Sequence, residues 1–189
     1  MRDQAIMEYF EQFEPPEGVR AELLRRSIVL SGGPDIVHNK IVTRVMNQFP
    51  RDEWARLQLQ HVAIAGEPSY PRPDLVVMER GACEGDGWLV PASDVTMLLE
   101  VVSGSSVDRD YGLKRSVYAA GGIPAYLVID PHDARCVLLT EPYGAGEDAD
   151  YEVQRTVPFG KPIRIDALGI KLDTTQFGTL PAINRHRRP

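Results

Sequence analysis

The amino-acid sequence predicts an α/β fold built around one strand, helix, strand unit, with further short strands toward the C-terminus. Residues 96–103 and 125–130 are apolar runs of the length of buried strands. Between them, a turn of small residues leads into a helical pattern over about 107–120, which two glycines end. Because a crossover helix joins parallel strands, these two strands should be parallel neighbours. The C-terminal strands are predicted over residues 135–140, 151–157, 162–165 and 170–172.

The N-terminal segments are predicted as a helix, a hairpin and a second helix. Ile6, Phe10 and Phe13 recur at helical spacing over residues 3–13. Two short strands over residues 20–31 are joined around two arginines, and Asp35 then stands as an N-cap. The helix that it caps is expected to reach residue 49 and to point four apolar side chains inward: Ile36, Ile41, Val45 and Phe49.

Two further strands are predicted before the central unit. Over residues 57–65 apolar and polar residues alternate, as on a half-buried strand. Residues 75–77 form an apolar strand directly after Asp74, where prolines at 71 and 73 exclude a helix. A polar loop over 81–87 follows. No long linker divides these elements, so we expect one domain over residues 1–189 with a flexible basic tail over about 181–189.

Composition and charge limit the classes of protein to consider. No run approaches the roughly 20 apolar residues that a membrane helix needs, and the first residues lack the apolar core of a secretion signal. A cytoplasmic protein without membrane contact is therefore expected. Cys83 and Cys136 are too isolated for a disulfide framework and are expected to be reduced thiols. The net charge of −6 argues against general coating of DNA, but a locally basic groove or metal-bridged phosphates remain compatible with it.

Two carboxylates occupy positions where burial is costly. Glu100 lies in the middle of the apolar run 96–103, and an ionised side chain there needs a partner, a metal or water. Asp74 lies at the mouth of the strand that follows it, where the alternative is an ordinary turn residue after proline. Two acids on adjacent strands would repel each other, and a hard cation between their oxygens relieves the repulsion. The pair therefore indicates a metal site built on a sheet.

The helix after Glu100 offers a basic residue for the same site. Asp110, Lys114 and Tyr118 are spaced four residues apart, which places them along one helix face. A lysine near a metal-bound water and a phosphate can orient the water and neutralise charge on phosphorus. The alternative is that Asp110 and Lys114 form a solvated salt bridge on the helix surface.

These residues resemble the putative restriction endonuclease family of the PD-(D/E)XK nuclease superfamily. The resemblance covers residues 14–172 and includes the opening 20–23 with Glu22, the strand that ends at Ser31, and His38. Its other motifs are Pro73-Asp74, Glu100-Val101-Val102-Ser103, then Asp110, Lys114 and Tyr118, then Gly122-Ile123-Pro124 and residues 126–130. Two positions depart from the family pattern, since Arg26 stands where a turn glycine is usual and Gly104 where a proline is usual.

The resemblance implies a restriction-endonuclease-like core, in which helices flank a mixed central β-sheet and a divalent-metal site lies at a central strand pair. Asp74 and Glu100 match the family's metal-binding acids. The superfamily's simplest pattern has a lysine two residues after the second acid, but Val102 stands there, and Lys114 on the following helix becomes the candidate. Glu22 is a further acidic candidate. Three residues also have an ordinary structural interpretation. Glu22 would be a cross-strand charge partner for an arginine, and His38 would be an ordinary first-turn histidine. Tyr118 would pack the helix, with a hydroxyl that supports Lys114.

The function that these expectations favour is metal-dependent hydrolysis of phosphodiester bonds. Mg²⁺, with Mn²⁺ as a substitute, would bind Asp74, Glu100 and the Val101 carbonyl, and Lys114 would position the attacking water. The expected partner is nucleic acid, DNA in particular, and a homodimer would suit double-strand cleavage. Two alternatives stay open: a nuclease-like module that binds nucleic acid or protein with little turnover, and a metal-dependent hydrolase of small phosphoesters.

Overall fold

The computed structural model describes residues 2–82 and 87–182. In these residues the helices are α1 (Arg2–Glu11), α2 (Ile36–Met46) and α3 (Lys114–Ala120), and a π-helical segment, Arg109–Leu113, runs directly into α3. The strands are β1 (Arg20–Leu24), β2 (Ser27–Ser31), β3 (Trp54–Gln58), β4 (His61–Ala63), β5 (Leu75–Glu79), β6 (Leu89–Pro91), β7 (Met97–Val101), β8 (Ala125–Asp130), β9 (Arg135–Tyr143), β10 (Asp150–Pro158), β11 (Ile163–Ile165) and β12 (Ile170–Leu172).

Six strands form the central sheet, in the order β10, β9, β8, β7, β5, β3. Strands β7 and β8 are parallel, whereas the other neighbouring pairs are antiparallel. The predicted mixed sheet and its strand, helix, strand unit are thus confirmed, and the four predicted C-terminal strands are β9 to β12. Leu75 pairs with Leu99, so the strand after Asp74 and the strand of Glu100 are direct neighbours.

Apolar side chains cover both faces of the central sheet. On one face, Leu99 of β7 belongs to the same buried cluster as Ile41 of α2. On the other face, Leu98 clusters with Val117 of α3. Because side chains alternate along a strand, Glu100 lies on the α3 face with Leu98. Burial of both faces also explains why β7 is a continuous apolar run apart from this glutamate.

The N-terminal hairpin is attached beside the segment that leads to Asp74. A two-residue turn joins β1 to β2, with φ of 43° at Arg25 and 67° at Arg26. Both values lie in the left-handed region, as a type I′ hairpin turn requires. Leu23 and Tyr70 exchange backbone hydrogen bonds of 3.3 and 2.7 Å. This bridge brings Glu22, which precedes Leu23 on β1, to the end of the sheet where Asp74 lies.

Three features differ from the sequence prediction. The prediction of one strand over 57–65 is wrong. The chain forms β3 and β4 in different sheets, because the backbone turns between them at Leu59, where φ is 55°. Ile36 does not point inward but is 72% exposed, since it is the first residue of α2 and lies before the helix reaches the sheet. The helix predicted over 107–120 contains the π-helical segment, which no sequence pattern indicated.

Other expectations concern single residues and the chain ends. None of the described helices is long and apolar enough to cross a membrane. Cys136 is a free thiol, and burial raises its pKa to about 12, which keeps it protonated. Cys83 with its loop over 83–86, and the basic tail over 183–189, lie outside the described residues. The single domain over 1–189 stays a prediction.

Candidate active site

One cavity of about 230 Å³ gathers most of the residues singled out in the sequence. It lies where the ends of β5 and β7 meet β1, α2 and the π-helical segment. Tyr118 is not part of its lining but contacts Glu100 from α3. The predicted residues that line the cavity are Glu22, His38, Asp74, Glu100, Val101, Asp110 and Lys114.

Lys114 is held between two buried glutamates. Its Nζ lies 2.7 Å from Glu100 Oε1 and 2.8 Å from Glu22 Oε1. Lys114 is 3% exposed and Glu100 4%, so the solvated surface pair with Asp110 that the sequence left open is not what forms. Burial opposes the charge of Lys114, but the carboxylates of Glu100 and Glu22 raise its pKa above the ordinary value. The lysine therefore stays cationic throughout the neutral pH range.

Glu100 receives two donors on the same oxygen. The Tyr118 hydroxyl donates to Oε1 at 2.6 Å, beside the bond from Lys114. Burial raises the pKa of Glu100 well above its ordinary value, while Lys114 acts in the opposite direction. Tyr118 thus does more than pack α3 against the sheet, because its hydroxyl fixes the orientation of the glutamate.

Asp74 is bound by donors from three elements. Its Oδ2 accepts from the Val101 backbone N–H at 2.9 Å and lies 2.8 Å from His38 Nε2. Arg20 Nη1 donates to Oδ1 at 3.2 Å. Burial opposes ionisation, but the bonds from His38 and Val101 lower the pKa of Asp74 below its ordinary value. Asp74 is therefore ionised, and the first-turn histidine, whose backbone N–H bonds the Asp35 cap, is directed at it.

Asp110 is a buried acid that the π-helical segment places in the cavity. In this segment the backbone N–H of Lys114 bonds to the carbonyl of Arg109, five residues back. This bond makes the turn that contains Asp110 wider than an α-helical turn. Ser106 donates to Asp110 Oδ2, whereas Oδ1 is buried without a partner among the described residues. Burial raises the pKa of Asp110 to about 6. The unpartnered oxygen is an acceptor available to a ligand.

Carboxylate oxygens line the cavity, and such oxygens are the ligands that hard cations take. Among the described residues no group of three or more His, Cys, Asp or Glu side chains is arranged to hold a metal ion. Asp74 and Glu100 nevertheless line one cavity with the unpartnered Asp110 Oδ1. Mg²⁺ commonly binds through one or two carboxylates and several waters, so this donor set suits it. The N–H of Val101 points at Asp74, and on a strand the carbonyl of the same residue points to the same edge.

Three arginines of the cavity were not predicted as site residues from the sequence. Arg20, Arg72 and Arg109 all line the cavity. Arg20 is two residues before Glu22 on β1, so strand alternation could have placed both side chains on one face. Arg109 directly precedes Asp110, but only the π-helical segment reveals that both residues reach the cavity. No signal in the sequence marks Arg72, which lies between two prolines.

A mixed sheet flanked by helices, with buried acids and a lysine at one strand pair, is the architecture that the sequence resemblance implied. The chain belongs to the Uma2 family, whose description is "Putative restriction endonuclease" and whose model matches residues 7–175. Among solved structures it is similar to the crystal structure of "a putative nuclease belonging to DUF820" from Anabaena variabilis. That match has a TM-score of 0.67 and 10% sequence identity, and covers 90% of this chain and 96% of the other. No curated protein matches the chain significantly.

Proposed function

We propose that the protein is a metal-dependent nuclease that hydrolyses phosphodiester bonds. The observation that carries the proposal is the position of Lys114, 2.7 Å from Glu100 and 2.8 Å from Glu22, in the same cavity as Asp74. Burying three acids and a lysine together costs folding free energy, and such arrangements are concentrated at functional sites. The family description and the fold shared with a structure described as a nuclease support the same class of reaction.

In this proposal Asp74, Glu100 and the Val101 carbonyl would hold Mg²⁺. Bound there, the ion would supply an activated water and would stabilise charge on the phosphate oxygens. Lys114 stays protonated, so it donates hydrogen bonds and neutralises negative charge instead of acting as a base. The Tyr118 hydroxyl holds the carboxylate of Glu100 in position, and Glu22 holds the ammonium group of Lys114. His38 and the Val101 N–H keep Asp74 ionised, and Arg20 helps to orient it.

A second candidate is a binding module with little or no turnover. Both oxygens of Asp74 already accept from protein donors, and no group of three metal-ligating side chains is arranged to hold an ion in the described parts of the chain. A site whose carboxylate oxygens already accept hydrogen bonds from the protein would bind a metal weakly. Metal binding and turnover therefore have to be measured separately.

The substrate and the assembly belong to the proposal too. DNA is the expected substrate, and cleavage of both strands by one site per chain would be simplest in a twofold dimer. Within the part of the chain that the structure describes, the edge strand β10 pairs with β9 on one side only, and it could join two chains. Light scattering of the purified protein, alone and with a DNA duplex, would measure the assembly. The cytoplasmic location stays a prediction.

The test of the proposal is nicking of supercoiled plasmid in Mg²⁺, Mn²⁺ or EDTA. We expect metal-dependent cleavage, and we expect Glu100→Gln and Lys114→Ala to reduce it at least about a hundredfold, the scale of one electrostatic group in a catalytic site. Matched controls are Glu79→Gln and Lys161→Ala, which remove the same charges at exposed positions. Full activity of Glu100→Gln would show that the cleavage comes from a contaminant or from another site.

Calorimetry with Mn²⁺ separates the two candidate functions. Binding that Asp74→Asn and Glu100→Gln abolish, without cleavage of DNA, RNA or a generic phosphodiester, would replace the nuclease by the binding module. Turnover of the small phosphodiester but of no nucleic acid would instead favour a hydrolase of small phosphoesters.

A further inference from the structure

Three arginines converge on the cavity from three separate parts of the chain. Arg20 opens β1, Arg72 lies just before Asp74, and Arg109 begins the π-helical segment. The nuclease chemistry proposed above uses only Arg20, and only as a partner of Asp74. The cavity therefore contains three guanidinium groups in addition to Lys114 and the acids.

Some N–H donors of these arginines make no hydrogen bond to the described residues. Arg20 Nε and Arg109 Nε are buried and have no hydrogen-bond partner within residues 2–82 and 87–182. Leaving a buried charged donor unpaired costs free energy, because water has been removed without replacement. A guanidinium group offers five N–H donors in a planar fork, which suits the paired oxygens of a phosphate. The unpaired atoms are thus suited to an oxyanion that enters the cavity.

Arg72 is held in place by its own contacts. Its backbone N–H donates to Glu22 Oε1 at 2.8 Å and its Nε donates to the Leu59 carbonyl at 2.7 Å. Arg72 lines the same cavity as Arg20. Two guanidinium groups that repel each other at the edge of one cavity are stabilised when an anion binds between them.

We propose that Arg20, Arg72 and Arg109 form an anion subsite that binds a phosphate of the substrate strand next to the one that is cleaved. The inference rests on the proposed nuclease function and adds a substrate requirement to it. In this proposal the scissile phosphate would lie against Lys114 and the metal-binding acids, and the arginines would hold an adjacent phosphate. The substrate class is then a nucleic-acid strand with at least two neighbouring phosphates, and not a single phosphoester.

Binding without turnover tests the subsite directly. A short fluorescent single-stranded oligodeoxynucleotide is titrated with protein in EDTA, and fluorescence anisotropy gives Kd at several salt concentrations. We expect Arg72→Gln and Arg109→Gln each to weaken binding about tenfold. Each should also lower the slope of log Kd against log salt by about 0.7, the value for one phosphate contact on a single strand. Arg109→Lys keeps the charge, so it should keep the slope and lose only affinity.

The matched control is Arg51→Gln, which removes an exposed arginine that does not line the cavity. Urea unfolding of each variant checks that the fold persists. The subsite is overturned if Arg72→Gln and Arg109→Gln bind like Arg51→Gln, or if the wild-type protein binds no oligonucleotide. Inorganic phosphate that competes as well as the strand at equal concentration would also overturn the requirement for two phosphates.

The outcomes also separate this inference from the proposed function. If the wild type cuts no nucleic acid but the two variants still weaken binding, the nuclease proposal fails and the subsite stands. If the wild type cuts DNA, Arg109→Gln should raise KM about tenfold and leave kcat within about threefold. Unchanged KM and salt slope in an active nuclease would reject the subsite alone.

Discussion

The hydroxyl of Tyr118 donates a 2.6 Å hydrogen bond to Glu100 Oε1, the oxygen that also accepts from Lys114. Tyr118 lies one turn beyond Lys114 on α3, so a single helix supplies both donors. The relationship makes the orientation of Glu100 depend on how α3 packs against β7.

We expect Tyr118→Phe to reduce nuclease activity about three- to tenfold and to destabilise the fold by about 1–3 kcal/mol, because a charge-assisted hydrogen bond is lost at a fully buried position. The control is Tyr151→Phe, which removes a buried hydroxyl bonded to the Ile123 carbonyl. That control should lower stability but leave kcat unchanged. Urea unfolding and plasmid nicking measure the two effects, and equal loss of activity in both variants would contradict the role given to Tyr118.

Lys114→Met should destabilise the protein by about 3–5 kcal/mol, because Glu22 and Glu100 then face each other in the interior without a cation. The double variant Lys114→Met with Glu100→Gln should recover part of this loss, since one of the repelling charges is removed. Urea unfolding at neutral pH measures both variants. Lys161→Met is the exposed control. If Lys114→Met costs less than about 1 kcal/mol, the lysine is not the internal counter-ion of the two glutamates.

The raised pKa of Asp110 predicts a dependence of stability on pH. Burial raises the pKa to about 6, above the ordinary value of 3.8, so the folded protein holds this proton more tightly than the unfolded chain. Folding is therefore favoured by this group at low pH, and the contribution is lost as pH rises from about 4 to 6, by up to about 3 kcal/mol.

Asp110→Asn removes the titrating group and keeps the oxygen that accepts from Ser106. The free energy of unfolding of this variant, relative to the wild type, should rise between about pH 4 and 6 and stay constant above that range. Urea unfolding in EDTA across this range measures the difference. A difference that does not change with pH would show that Asp110 titrates normally.

The hairpin turn offers a test of backbone strain. Arg26 has φ of 67°, where a non-glycine residue costs about 1–2 kcal/mol, and glycine is the residue usual there in the resembled family. Arg26→Gly and Arg26→Ala both remove the exposed ion pair with Asp3. Since only glycine relieves the strain, Arg26→Gly should be more stable than Arg26→Ala by about 1 kcal/mol in urea unfolding. Equal stabilities would place the turn outside the left-handed region in solution.

Much of the central sheet followed from local patterns in the sequence. The apolar runs of β7 and β8 and the glycines after α3 are strong signals, because buried parallel strands need continuous apolar residues. The break between β3 and β4 could not be predicted. Leu59 adopts a left-handed conformation that its side chain disfavours, so only tertiary contacts impose it.

The acids of the candidate site could be predicted from the sequence, but the lysine and the arginines around them were harder to predict. Glu100 and Asp74 stood out because a charge inside an apolar strand conflicts with its environment. Lys114 rested on the resemblance, since its distance from Glu22 depends on the packing of α3 and on the hairpin bridge at Tyr70. The arginines of the cavity were missed because arginine at a surface is common, and only the structure shows that they line the cavity and that the Nε atoms of Arg20 and Arg109 are buried.

The bridge between Leu23 and Tyr70 has a consequence for the newly made chain. Glu22 is near the start of the chain and its partner Lys114 is past the middle, so the two meet only after the hairpin has joined the segment before Asp74 and α3 has docked on the sheet. A chain still emerging from the ribosome, or a fragment that ends before α3, lacks the completed cavity. Any activity of this site therefore appears only once the polypeptide is synthesised beyond its central unit and folded.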